Sequence, residues 1–173
     1  MKRILFSLVF LALAGCKSTR DLKVVNDFNP DRYMGVWYEA ARYPHGFEKG
    51  MSNVSATYTL NEDGTIKVLN KGYVEDEAEW ETIEGVAKLK SDPNVGWLKV
   101  SFFKPFYASY KIVYLDDAYT QAIIAGPTYG YLWILARDPD LPETERERLI
   151  KKTEQLGYER EKIILVDQSK NLK

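Results

Sequence analysis

The side chains able to make or break bonds are few and scattered. His45 is the sole histidine and Cys16 the sole cysteine in 173 residues. A structural or catalytic zinc needs three or four such ligands converging, so no metal is expected from them. The sequence carries neither a Gly-x-Ser-x-Gly elbow nor a phosphate-cradling glycine loop. Carboxylates gather at Glu75, Asp76, Glu77, Glu79 and Glu81. They lack the turn glycine and ligand spacing of a calcium loop and read as a solvated hairpin tip. The Asp-Pro-Asp at 138–140 reads as a loop in the same way. No catalytic residue, metal or cofactor is expected, and the residue types favour binding over catalysis.

Cys16 has chemistry of a different kind. Before it come a basic head, Met1-Lys2-Arg3, and the apolar run ILFSLVFLAL. That run is too short to span a bilayer, which takes about 20 residues, and with the small residues after it reads as a secretory signal. Leu13-Ala14-Gly15-Cys16 resembles the bacterial lipobox, which implies cleavage before Cys16 and attachment of diacylglycerol to its sulfur. The plainer alternative is an ordinary signal peptide with a chance cysteine. Lipidation would consume a thiol that has no partner in an exported chain, and several acyl chains make a lasting anchor where one is marginal. Lys17 stands where an aspartate tends to retain such lipoproteins in the inner membrane, so the same resemblance implies the outer membrane of a Gram-negative cell. Residues 1–15 are therefore expected as signal peptide, 16–27 as a lipidated tether, and 28–173 as the folded domain.

The rest of the composition is that of one globular domain, with 45% hydrophobic residues, 13% aromatic residues and a net charge of −1. Charges are interspersed, with no basic run for nucleic acid. Removing residues 1–15 takes away Lys2 and Arg3 and leaves 22 basic against 25 acidic side chains.

Eight strand-like runs follow one another from Gly35 to Arg137, joined by short turns such as Asn61-Glu62-Asp63-Gly64. Short links imply antiparallel neighbours in succession, and closing such a sheet into a barrel removes its exposed edges. The fold class is all-β, an eight-stranded up-and-down barrel. Asn29-Pro30 opens a one-turn helix before the first strand. A longer helix is expected between Pro142 and Gly157, with Leu149, Ile150, Thr153 and Leu156 on one face to pack outside the barrel. KIILV then makes a last short strand.

These landmarks carry a resemblance. Gly35-Val36-Trp37 after a one-turn helix, Asp117-Ala118-Tyr119 before the seventh strand, and Arg137 at the end of the eighth are similar to the three motifs of the lipocalin family, in order, over about residues 28 to 168. With the lipobox, the chain looks like a bacterial outer-membrane lipoprotein of that family. The resemblance implies Arg137 stacked on Trp37 at the closed end of the barrel. It also implies a lipid ligand, a fatty acid or lysophospholipid, in an apolar cavity. Alternation supplies candidate lining residues: Val54, Ala56 and Tyr58; Ile66 and Val68; Val100 and Phe102; Ile112 and Tyr114. Arg42, His45, Lys49 and Lys104, in or near loops, are candidates to meet an acid headgroup, although each reads first as a solvated surface residue. The aromatic stretch Phe102 to Tyr110 is either wall packing or a rim that touches membrane. Alternatives to lipid binding are a lipid-modifying enzyme in the same cavity or a structural envelope lipoprotein; partners are membrane, lipid and, conceivably, a second copy in a homodimer.

Overall fold

In a computed structural model, which describes residues 17–90 and 92–172, the chain forms a closed antiparallel barrel with one long helix outside. Cys16 and the signal segment lie outside the described residues. Helix α1 (Pro30–Tyr33) leads into β1 (Gly35–Arg42). Then come β2 (Met51–Leu60), β3 (Ile66–Val74), β4 (Glu79–Leu89), β5 (Trp97–Phe103), β6 (Phe106–Leu115), β7 (Gln121–Ala125) and β8 (Leu132–Ala136). Each strand pairs with the next, and β1 pairs with both β8 and β2, which closes the ring. Helix α2 (Glu143–Gln155) and β9 (Ile164–Leu165) complete the chain.

Local sequence accounts for the ends of these elements. The Asn29 side chain accepts from the Arg32 amide and caps α1, with Pro30 at its first position. Gly157, at φ +93°, ends α2: its amide bonds to Glu154 O, and the Tyr158 amide to Thr153 O. That is a Schellman closure, which requires the left-handed conformation glycine adopts freely. Leu149, Ile150 and Thr153 are buried under α2.

Alternation divides the side chains into two cores. The inner one holds Phe28, Tyr33, Trp37, Ala56, Tyr58, Ile66, Val68, Leu98, Ile112, Ala122 and Ile124. The outer one, between barrel and α2, holds Ala41, Ile123, Ile134, Leu149 and Ile150. Strand β9 pairs with the upper part of β1 (Ala41 with Leu165), while β2 pairs only with its lower part, up to Tyr38 with Ser55. Gln168 bridges the gap, donating to both Glu39 O and Val54 O.

Residues 17–27 do not form the loose tether expected from sequence. Ser18 pairs with Thr128, Thr19 is buried, and Val25 exchanges backbone bonds with Ile112 and Gly96. The segment runs down the outer wall because its amides and carbonyls find partners there that a free tether would leave to water.

Candidate ligand-binding site

The closed end of the barrel is built around Trp37. Its indole N–H donates to Tyr33 O at 2.8 Å, and its ring lies 4.0 Å beneath the Arg137 guanidinium carbon. Arg137 fans its three nitrogens over five carbonyls: Val36 (2.7 Å), Met34 (2.7 Å), Tyr33 and Arg32 (both 3.1 Å) and Tyr119 (3.3 Å). A planar guanidinium can stack and donate in its own plane at once, which an ammonium cannot. Gly35 is needed at this point. It has φ +95°, and a Cβ there would lie 3.2 Å from Arg137 Nη1. Its positive φ and the close approach both select glycine.

Tyr119 belongs to the same seal: its hydroxyl accepts from the Asn29 amide, and Arg32 stacks on its ring at 4.0 Å. Asp117 contributes only its backbone carbonyl, which accepts from Arg32. The carboxylate that ties this turn is Asp116, which accepts from the amides of Thr120 and Gln121 and from the Thr120 hydroxyl. The sequence reading gave the acidic position of the motif to Asp117; the turn is one residue earlier.

Above the floor, three tyrosines reach in from different parts of the wall. Tyr110 Oη lies 2.7 Å from Tyr33 Oη and 3.0 Å from Tyr58 Oη. Burial pushes all three phenols above their ordinary range, so each carries its proton. Two contacts use two of the three O–H groups, leaving one that these contacts do not use.

Toward the open end, the interior carries charge. Arg42 Nη1 meets Glu39 Oε2 at 3.1 Å, and its Nη2 donates to Glu48 O and Met51 O, each at 2.8 Å. Trp133 donates to Glu48 Oε2 at 3.3 Å, and His45 Nε2 lies 3.0 Å from the same oxygen. Burial, then the Glu48 charge, holds Glu39 well above the usual carboxylate range. Burial works in the same sense on Glu48, but the His45 imidazole, Glu39 and Arg42 together hold it below that range. The proton of the pair therefore sits on Glu39, and Arg42 balances Glu48. The His45 ring packs against Trp133 and Phe47, at 5.0 and 5.7 Å. The β1–β2 loop is thus clipped across the mouth.

Between the floor and this ring, the inward faces of β4 to β6 carry apolar side chains that stay accessible. Ile83 stands opposite Asn70 and shares its inward face, yet is 41% exposed. Ala108, paired with the inward Val100, is exposed, and Val100 and Phe102 are only half-buried. Asn70 Oδ1 and His45 Nδ1 are buried without a hydrogen-bond partner among the described residues. Strands β4 and β5 pair only from Val86–Ser101 downward. Above that point a cleft of about 290 Å³, lined by Gly85, Val86, Ser101, Phe102 and Lys104, opens the side of the wall.

Of the residues expected to line the interior, Ala56, Tyr58, Ile66, Val68 and Ile112 belong to the inner core, with Val100 and Phe102 packed against it. Val54 is buried beside Gly72. Tyr114 is the exception. A bulge between Ile112 and Tyr114 shifts the register of β6 by one residue and turns Tyr114 outward, where its hydroxyl accepts from Arg148 of α2. A one-residue slip inverts a strand's faces. A second bulge, between Glu39 and Ala41, brings Arg42 inward, so that it is no solvated loop cation. Glu39, Glu48, Tyr33 and Asn70 were not singled out as site residues from sequence, and Tyr110 was noted only as part of an aromatic stretch. Glu39 was recoverable, because it stands two residues after Trp37 and shares its face. Glu48 was not, since it depends on the irregular backbone of the β1–β2 loop. Among the described residues, no cluster of three His, Cys, Asp or Glu side chains could hold a metal ion.

Comparison with known proteins fits this geometry. A family model described as "Lipocalin-like domain" matches residues 28–168. The chain belongs to the lipocalin family. It is 43% identical over 161 residues to a protein named outer membrane lipoprotein Blc from Citrobacter freundii, covering 92% of this chain and 91% of that one. The protein of that name from Vibrio cholerae is 40% identical over 170 residues, covering 97% and 99% of the two chains. Temperature-induced lipocalin-1 of Arabidopsis thaliana is 38% identical, over 87% of this chain and 84% of its own. In fold, the lipocalin resembles insecticyanin of the tobacco hornworm, with a TM-score of 0.69 at 22% identity over 85% of this chain and 84% of that one. Its place is with the outer-membrane lipoproteins of Gram-negative bacteria.

Proposed function

We propose that this lipocalin binds one amphipathic lipid, a fatty acid or a lysophospholipid, in the upper half of its barrel, while a lipid on Cys16 anchors it to the outer membrane. The observation that carries the reading is the inward-facing yet accessible wall of Ile83, Val100, Phe102 and Ala108. Apolar side chains that face the inside of a closed barrel and still meet solvent mark unfilled space, and an eight-stranded barrel has room for one small ligand. An acyl tail removes that surface from water, at about 0.8 kcal/mol per buried methylene.

The polar groups suit an amphiphile better than a pure hydrocarbon. Asn70 Oδ1 and His45 Nδ1 lack partners among the described residues, and few, well-placed polar groups on an apolar wall are the usual means of orienting a ligand. We assign binding without catalysis. The Tyr33–Tyr58–Tyr110 hydroxyls are occupied with one another and held protonated by burial, so they offer no nucleophile.

Native mass spectrometry of the mature, delipidated chain reloaded with palmitate or a lysophospholipid tests this. A 1:1 adduct whose lipid is released unchanged is expected. Failure to retain any acyl lipid overturns the reading, and recovery of a converted lipid overturns its non-catalytic part. Mass analysis of the N-terminal peptide tests Cys16 separately.

A further inference from the structure

The first described residue is not free. The Tyr129 amide donates to Lys17 O at 2.9 Å, the Thr19 amide to Pro127 O at 3.2 Å and the Thr19 hydroxyl to Gly126 O at 2.5 Å. Lys111, itself buried, donates to Thr19 O at 2.6 Å. These partners lie in or beside the loop between β7 and β8, which is at the open end, because β8 runs from there down to Arg137 at the floor. From Thr19 the chain descends the outer wall to Val25, bonded at the floor-side start of β5 through Gly96.

Lys17 directly follows Cys16 in the sequence. A free segment of a dozen residues would let an anchor wander about 18 Å from the barrel; a pinned Lys17 holds it at the rim. The rim is also where the exposed aromatics collect. Phe47, in the β1–β2 loop, is 71% exposed; Phe103 and Phe106, flanking the β5–β6 turn, are 67% and 77% exposed. These two loops stand on either side of the β7–β8 loop in the closed strand order. Lys17, Lys49 and Lys104, all exposed, lie in the same three regions. The acidic tip, Glu75, Asp76, Glu77 and Glu79, is on the β3–β4 hairpin, the strand pair diametrically opposite β7–β8.

We propose that this half of the rim is a membrane-docking face: with Cys16 lipidated, the barrel sits mouth-down on a phospholipid bilayer, Phe47, Phe103 and Phe106 entering the headgroup region and the acidic hairpin tilted away. Exposed apolar side chains grouped beside lysines suit a surface that is greasy beneath and phosphate-rich above. The chain's small overall negative charge gives no such pull; the separation of its charges around the rim does. The cup then opens toward the membrane, so a lipid can pass between bilayer and cavity with little exposure to water. The inference rests on the Cys16 anchor proposed above and not on the identity of the calyx ligand.

Spin labelling tests it. Lipidation leaves Cys16 without a thiol, so one introduced cysteine takes the label alone. Phe106→Cys, Glu77→Cys and Asp63→Cys, all at exposed positions, are prepared as lipidated protein in vesicles of phosphatidylcholine with a fifth phosphatidylglycerol. The label at position 106 should collide more with oxygen than with a water-soluble nickel complex, as in lipid. Those at 77 and at 63, on the floor-side β2–β3 turn, should show the reverse. Three results overturn the proposal. The label at 106 reports water although the lipid mass is found on Cys16; the label at 63 is the one in lipid; or the 106 label is buried equally without vesicles, in a protein of doubled mass, which makes the rim a contact between copies. Absence of the lipid mass also sinks it, while leaving calyx binding, measured separately, intact.

Discussion

Replacing Arg137 by alanine should destabilise the fold more than any other substitution of a surface-reaching charge. The guanidinium is stacked 4.0 Å from the Trp37 ring and donates to five carbonyls. Two of those bonds, to Val36 and Arg32, are at the exposed margin, where water can replace the arginine at little loss. Three, to Tyr33, Met34 and Tyr119, are partly buried, and each is worth about 0.5–1.5 kcal/mol. The stacking adds about 1–2 kcal/mol in a partly desolvated setting. The sum is about 2.5–6.5 kcal/mol, a large fraction of the stability of an ordinary domain.

Urea unfolding followed by tryptophan emission measures this directly. With a slope of about 2 kcal/mol per molar, the midpoint should fall by about 2 M. Arg137→Lys separates the two contributions. An ammonium keeps a positive charge above the indole but cannot reach five carbonyls in one plane, so its midpoint should fall about halfway between parent and alanine variant. A loss below about 1 kcal/mol for Arg137→Ala, the level of an exposed ion pair, would refute the reasoning, because the guanidinium would then be decorating the floor rather than sealing it.

Gly35→Ala should cost about 1–3 kcal/mol by the same assay, combining a disfavoured positive φ with a Cβ 3.2 Å from Arg137 Nη1; a midpoint equal to the parent's would show that the strand start relaxes freely. Glu39 holds its proton in the folded state and releases it near pH 4.3 when unfolded, so its contribution is complete below that pH and is lost as pH rises through its raised value. Glu39→Gln, which stays neutral, should therefore gain stability relative to the parent as pH increases from 5 to 8, and a pH-independent difference would contradict the assignment. Ile83→Trp adds a large ring to the accessible wall and should weaken lipid binding at least about tenfold, or 1.4 kcal/mol, with the fold unchanged; undiminished affinity would place the ligand elsewhere.

Most of the barrel was legible because its strands obey a period of two between recognisable turns. Ala56 and Tyr58 on β2, or Ile66 and Val68 on β3, fall on one face by simple alternation and do share the inner core. The seal at Gly35, Trp37 and Arg137 was legible through resemblance and not through spacing: residues a hundred positions apart meet only after closure. Alternation failed where the backbone inserts a residue. Neither the bulge near Ala40 nor that before Tyr114 carries a glycine or proline to announce it, so Tyr114 ended on the face opposite to the one expected and Arg42, read as a residue in or near a loop, ended buried inside the barrel. The N-terminal segment misled for another reason. Lys17 to Asp27 is polar enough to read as solvated, but its attachment is made mostly by backbone groups, with Lys111 and the Thr19 hydroxyl, and backbone bonds leave no trace in composition.

The two ends of the barrel solve different problems with different side chains. At the floor, the groups that make the seal are paired on the protein: Trp37 to Tyr33, Arg137 to five carbonyls, Asp116 to its own turn. Such pairing contributes stability. At the mouth, a protonated Glu39 and an ionised Glu48 share Arg42 in a buried setting, and Asn70 and His45 keep atoms unpartnered. Buried charge and unpaired polar atoms reduce stability, so the mouth would be better filled with leucine if folding were its only task. These groups lie on one side of the tyrosine layer, next to the accessible apolar wall, which is why the proposed lipid is assigned to the upper half. Truncations below the tyrosines should therefore register mainly in urea midpoints, and truncations above them mainly in lipid affinity.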